Sequence, residues 1–298
     1  MTVLRLMSLT SLAMLAFAGN SLLCRVALKQ ALIDAASFTT VRLVSGALVL
    51  VLLASLRARA RASVDGVQPG DRLGGNWRSG VILFVYASAF SFAYTSLPTG
   101  AGALLLFGAV QLTMHIAAWR LGERLNLQQT AGLGMALAGL AVMLMPGLSA
   151  PPLPGALLMI VAGIAWGAYS LLGRGVASPV AATAGNFLRA APLSIALSLA
   201  LAARIELVAS GVLYAVLSGA LTSGVGYVLW YEAVRGLSAT RAASVQLTVP
   251  VLAAFGGTLF LGERITWRLL IACAAVLGGI ALVVFGARRA PLALQATE

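Results

Sequence analysis

The sequence predicts an all-α integral membrane protein whose ten transmembrane helices form two inverted five-helix repeats. Composition, the spacing of the apolar stretches and an internal duplication carry that prediction. Of the 298 residues, 60% are hydrophobic and only 9% are charged, and the mean hydropathy is +0.98. A soluble chain carries charge on about a quarter of its residues, so lipid has to be the solvent for most of this one. The net charge of +12 does not point to nucleic acid. All but one of the 20 basic residues are arginines, spread singly or in small groups between apolar stretches, which is how membrane proteins mark their cytoplasmic loops. A nucleic-acid groove would need a basic face with interleaved aromatics on a soluble module.

A spanning helix takes about 20 mostly apolar residues. Ten such stretches lie between charged or Pro/Gly-rich breaks, near 5–25, 34–55, 79–96, 100–119, 128–146, 155–174, 180–203, 210–232, 238–261 and 267–287. Arg5, the apolar run to Leu15 and Ala16-Phe17-Ala18 imitate a signal peptide. The segment has a partner in mid-chain, however, and reads as a retained first helix. Pro98 marks a tight turn between helices three and four. Arg57–Arg78 is the one long connection, and its Gly, Pro, Asp and Arg content reads as a solvated loop. Arg42 and Arg189 fall within spans. Arg25, Lys29, Arg204, Arg264 and Arg268 lie on one side of the membrane, and the remaining thirteen basic residues lie on the other. That bias places both termini in the cytoplasm.

The duplication is the most informative feature. Ser21-Leu22-Leu23-Cys24-Arg25 recurs as Ser170-Leu171-Leu172-Gly173-Arg174, with Phe17 matching Trp166 upstream and Arg42 matching Arg189 downstream. Val110-Gln111-Leu112-Thr113 recurs as Val245-Gln246-Leu247-Thr248, and Leu121-Gly122-Glu123-Arg124 recurs letter for letter as Leu261-Gly262-Glu263-Arg264. The halves are about 1–147 and 148–298. Five helices per half force the second copy to enter the membrane from the opposite face. Inverted repeats are the architecture of alternating-access transporters, with substrate held near the midplane between the halves.

Ten helices in two five-helix repeats, each with Leu-Gly-Glu-Arg before its last helix, resemble the EamA group of the drug/metabolite transporter superfamily over essentially the whole chain. Within that group the chain looks most like the YddG-type exporters of aromatic and other neutral amino acids. The resemblance implies a secondary transporter in the bacterial inner membrane, with its last helix of each half at the periphery.

Polar and aromatic groups inside spans mark the candidate pathway, with helix–helix hydrogen bonding as the alternative role for each amide and hydroxyl. Tyr86, Phe90 and Tyr94 share one face of helix three and are expected to form a cavity wall. Trp166 and Tyr169, among small neighbours in helix six, suit a pocket wall and gate, and Tyr227 in helix eight reads either as a further wall residue or as part of an interfacial aromatic belt. Asn20 and Asn186 are mid-span amides that can donate and accept at once, which suits a zwitterion. Gln111 and His115 in helix four, with Gln246 and Thr248 in helix nine, complete the substrate-binding candidates. His115 is the only histidine and the one group there with an ordinary pKa near neutrality. It reads either as a proton carrier or as a neutral hydrogen-bonding residue. Arg42 and Arg189 bind a substrate carboxylate or serve the fold by satisfying carbonyls and snorkelling.

Cys24 and Cys273 lack CxxC or Cys/His partners, so neither a metal site nor a disulfide is expected. No acidic residue sits deep in a span, and Walker, HExxH and GxSxG motifs are missing. The sequence therefore predicts a non-enzymatic transporter without cofactor or metal. Its partners are a small-molecule substrate, amino acids above all, and the lipid bilayer; nucleic acid is not one, and the oligomeric state stays open. Export of drugs or other metabolites is the nearest alternative, and a membrane-embedded lipid-modifying enzyme a more distant one.

Overall fold

The computed structural model describes residues 2–65, 73–120, 126–147, 150–173, 176–237, 245–246 and 248–286. Within them lie ten long helices: α1 Val3–Lys29, α2 Ala35–Asp65, α3 Trp77–Tyr94, α4 Thr99–Arg120, α5 Leu127–Leu144, α6 Leu153–Leu172, α7 Pro179–Ala200, α8 Ala209–Val234, α9 Thr248–Leu261 and α10 Trp267–Gly286. The described residues hold no strand, only one isolated antiparallel bridge between Ile33 and Leu207. Seven of the helices (α1, α2 and α4–α8) are long and apolar enough to cross a membrane, while α9 and α10 contribute shorter apolar segments.

Each predicted stretch overlaps one of these helices, residues 238–244 of the ninth lying outside the described residues, and one boundary moves markedly. The segment Arg57–Arg78 was expected to be a solvated loop, yet α2 continues to Asp65. Residues 57–62 alternate arginine with alanine, both strong helix formers, and the first glycine comes only at Gly66. At the other ends, side chains stop the helices in ordinary ways. Asn76 caps α3 by accepting from the Ser79 N–H, Asn126 and Gln129 form a capping box on α5, and prolines open α6 and α7.

Lipid as solvent shows in which side chains face out. On α1 the small and polar residues Ala13, Ala18, Asn20, Ser21 and Cys24 are buried, whereas Leu12 and Leu15 are more than half exposed. The same inversion puts Leu52, Leu157, Leu213 and Phe260 on the outside. With lipid outside, helix association gains from close packing of small residues rather than from hiding leucines.

The packing follows a pattern shared by the two ends of the chain. α1 packs on α8 and α9, α6 packs on α3 and α4, and α2 packs along α7. α5 and α10 form their closest partnership with each other. Their approach is so tight that a Cβ on Gly132 would stand 2.5 Å from the Gly279 carbonyl oxygen, and one on Gly279 would stand 2.5 Å from that of Gly132. α8 is continuous but changes pitch: Leu217–Val225 is π-helical between two α-helical segments. Such insertions concentrate at functional positions. Here the widened turn sets Gly219 against the Arg42 carbonyl and Ser45 Oγ on α2, leaving no room for a Cβ.

Gly279→Val should pull α10 away from α5 and cost about 1–3 kcal/mol, the usual range for overpacking. Gly134 has nothing within 4 Å of a Cβ, so Gly134→Ala should instead be neutral or stabilise by roughly 0.5–1 kcal/mol. Thermal unfolding of the two variants in detergent checks the contrast.

Candidate functional site

Aromatic side chains from four helices meet in the middle of the bundle. Trp166 of α6 is the hub, with ring centroids 4.8 Å from Tyr86, 5.2 Å from Tyr227 and 5.5 Å from Tyr169, the last in a stacked arrangement. Tyr86 leads along α3 to Phe90 at 5.6 Å, and Phe90 to Tyr94 at 4.8 Å. Phe17 of α1 packs edge-on to Tyr227 at 6.0 Å. Tyr86, Phe90, Trp166, Tyr227, Phe17 and Asn20 line a central cavity together with Ser21, Leu106, Phe107 and Thr222. Its volume is only about 20 Å³, room for roughly one water.

Arg42 projects from α2 beside this cavity. It is 1% exposed. Its Nη2 donates to the Tyr86 hydroxyl at 3.2 Å, and its Nε donates to Ser223 Oγ in the π-helical turn at 3.4 Å. The guanidinium carbon lies 4.9 Å from the Phe90 ring centroid and 5.3 Å from that of Tyr86. Nη1 finds no hydrogen-bond partner, and none of the ion pairs among the described residues involves Arg42. On the other side, the Asn20 carbonyl oxygen accepts from Ser218 Oγ at 2.7 Å and from Thr222 Oγ1 at 3.3 Å.

Two further cavities run from this centre toward one end of the bundle. The inner one, about 110 Å³, is lined by Tyr169, Thr183, Asn186 and Tyr231 among others. The outer one, about 360 Å³, is bordered by Arg57, Glu232, Arg235, Ser178 and again Tyr231. The shared Tyr231 hydroxyl accepts from Thr183 Oγ1 at 3.3 Å. Among the described residues no three His, Cys, Asp or Glu side chains come together as a metal site would require.

The candidates named from sequence thus divide. Asn20, Tyr86, Phe90, Trp166 and Tyr227 meet around the central cavity, and Tyr169 and Asn186 line the next one. Tyr94 is fully buried at the far end of the aromatic row, its hydroxyl donating to the Thr99 carbonyl at 3.3 Å. Asn186 spends both ends on neighbours: Nδ2 donates to the Tyr169 hydroxyl at 3.1 Å, and Oδ1 accepts the Asn76 N–H at 3.0 Å. Arg189 donates to the Gly74 and Gly185 carbonyls, unlike its repeat counterpart Arg42.

Gln111 is buried, but neither it nor His115 borders a described cavity. His115 Nδ1 donates to the Gln111 carbonyl at 2.7 Å. Gln246 is half-buried and Thr248 exposed, its hydroxyl turned to the Val245 carbonyl; neither joins the aromatic cluster. Leu121-Gly122-Glu123-Arg124 and Arg174 lie outside the described residues. Sequence reasoning missed Phe107, Ser218, Thr222 and Ser223. The run Ser218-Gly219 to Thr222-Ser223-Gly224, polar and small inside a span, was the available signal.

These features define a class: a multi-pass helical membrane protein with separate cavities along an aromatic and polar interior. Residues 4–145 and 153–285 match the EamA-like transporter family, and the chain belongs to that family, which assigns it transport of small molecules rather than catalysis. It is 56% identical over 280 residues to the uncharacterized protein PA1977 of Pseudomonas aeruginosa, covering 94% of each chain. It is 24% identical over 228 residues to a probable amino-acid metabolite efflux pump of Escherichia coli, 68% of this chain and 73% of that one. A similar 24% over 208 residues links it to the uncharacterized transporter YoaV of Bacillus subtilis, covering 67% of this chain and 71% of that one. A solved crystal structure with 24% sequence identity superposes with a TM-score of 0.63 over 97% of this chain and 99% of that chain, which shows a shared fold.

Because Asn186 bonds both the Asn76 N–H at the start of α3 and the buried Tyr169 hydroxyl, Asn186→Ala should remove two hydrogen bonds and cost about 1–3 kcal/mol. A lowered melting temperature of the purified variant checks this, and an unchanged one would remove the amide from the framework.

Proposed function

We propose that this chain is a secondary transporter that exports small amphiphilic metabolites, most of all neutral and aromatic amino acids, by alternating access. In this reading all ten helices span the bacterial inner membrane as two inverted halves, 1–147 and 148–298, with both termini in the cytoplasm. The matching partnerships of α1 with α8 and α9 and of α6 with α3 and α4 support the two halves. The excess of arginine on the side of Arg57 and Arg235 supports the orientation. Resemblance to YddG-type exporters and the printed name of the Escherichia coli relative support the cargo.

The observation that carries the reading is Arg42. A buried guanidinium needs an opposite charge or a full set of acceptors, and this one has two hydroxyls and two aromatic faces. An arriving carboxylate supplies what is missing, through the fork of a guanidinium that matches it. The aromatic walls take an apolar or aromatic side chain, and their faces also attract an ammonium group. At about 20 Å³ the central cavity is closed around no cargo of that size, so substrate reaches Arg42 only when the halves move apart.

Proteoliposomes loaded with labelled phenylalanine should release it faster than empty-vesicle controls, with competition by other neutral amino acids. Arg42→Met should lower apparent affinity by about 100-fold, the equivalent of roughly 3 kcal/mol for losing a buried charged hydrogen-bond partner. The same variant should keep or raise its melting temperature, because an apolar side chain replaces an unpaired buried charge. Flux at the wild-type rate in Arg42→Met would remove the carboxylate role, and no flux of any amino acid in the parent would remove the cargo.

A further inference from the structure

The two ends of the bundle are closed very differently. At one end, the outer cavity of about 360 Å³ is bordered by Arg57 and Glu232, paired at 3.1 Å with side chains 40% and 29% exposed. At the other end, Arg25 of α1 and Glu263, in the turn between α9 and α10, pair at 3.2 Å with both side chains only 11% exposed. This second pair is also a hub. Arg25 Nη1 donates to the Tyr94 carbonyl at 2.9 Å and the Thr95 carbonyl at 3.0 Å, at the end of α3. Glu263 Oε2 accepts the Thr99 N–H at 2.7 Å, at the start of α4. Lys29, one turn further along α1, donates to the Leu261 carbonyl that ends α9.

α1, the α3–α4 turn and the α9–α10 turn are therefore tied to one another through one carboxylate and one guanidinium. The knot lies one turn of α1 beyond the lining of the central cavity. Ser21, which lines that cavity, is four residues before Arg25, about 6 Å along the helix.

We propose that Arg25 and Glu263 are the positioning residues that hold this end of the transport path shut, and that the path opens here when their ion pair separates. The chemistry suits a reversible closure. Burying two charges costs nearly what their attraction returns, so an intact pair adds little net stability. When the end opens, water takes over both groups, and the closed and open arrangements stay close in free energy. Removing one partner breaks that balance. The remaining charge is buried without compensation only in the closed arrangement, so the population shifts toward the open one.

The inference rests on the alternating-access reading, but its readout needs no substrate, so a wrong cargo and a wrong closure give different results. Cys24 is fully buried beside Arg25, and the chain has only two cysteines. With Cys273→Ser as background, Cys24 reports on this end through its reaction with a membrane-impermeant maleimide in lipid nanodiscs. Glu263→Gln should raise the labelling rate by about tenfold or more as the open population grows. Glu263→Asp, which keeps the charge but shortens its reach, should raise it less and carries the test if the glutamine variant does not fold. Glu232→Gln, which breaks the pair at the opposite end, should leave Cys24 labelling at the background rate. Labelling at the background rate in the Glu263 variants overturns the proposal. An equal rise in Glu232→Gln, the mark of general loosening, also overturns it.

Discussion

A guanidinium in the middle of a lipid-embedded bundle can send its charge only to its immediate neighbours, and much of this structure is arranged around that problem at Arg42. Two hydrogen bonds from a charged group contribute about 1.5–3 kcal/mol each, and aromatic faces about 2 kcal/mol when desolvated. Burying an ion without a counter-ion costs several kcal/mol even after relaxation. The neighbours offset much of that cost and leave one donor, Nη1, without a partner. Supplying even these neighbours requires α2 and α8 to approach until no Cβ fits at Gly219. It also requires a change of pitch in α8 that brings Ser223 within 3.4 Å. The π-helical turn, the missing side chain at Gly219 and the aromatic row on α3 are parts of one arrangement.

The periphery obeys a different rule. α5 and α10 pack on each other backbone to backbone through Gly132 and Gly279, and neither contributes a residue to the three cavities. Their association depends on shape alone, as expected where lipid outside is as apolar as the interface itself. Separating this pair from the helices that line the cavities lets α1–α4 and α6–α9 rearrange, in the proposed cycle, without unpicking the most extensive helix pairing in the bundle.

How much of this was legible in the sequence follows from what each signal measures. Periodicity reports which side chains share a face, and so Tyr86, Phe90, Trp166 and Tyr227 emerged as wall residues. The repeat reports equivalence of position but not of surroundings. Arg42 and Arg189 are matched in sequence, yet one lies against two aromatic rings and the other holds one backbone carbonyl of a connecting segment and one of its own helix. For the same reason Gln246 and Thr248 were grouped with the site although they stand apart from it. Thr222 and Ser223 were missed because a 3.6-residue period assigns faces wrongly through a π-helical turn. The repeat landmarks also contained both partners of the Arg25–Glu263 pair, but they lie 238 residues apart in different halves. Equivalence within a repeat says nothing about contacts between its copies.

The cavities then locate the barrier in this conformation. Toward the Arg57 end lie two cavities that share Tyr231 as a wall, the inner one lined by Tyr169 and Asn186, and the stacked pair of Trp166 and Tyr169 stands between the inner one and the chamber beside Arg42. Beyond the chamber, the Arg25–Glu263 knot ties three elements together under little solvent. The two partitions differ in kind. Aromatic rings can rotate or slide past one another while losing only dispersion and modest ring–ring energy, whereas the ion pair must exchange each partner for water at once. In the proposed cycle the two partitions therefore yield differently as the halves move apart: the aromatic one by ring motions, the polar knot only when both of its charges gain water together.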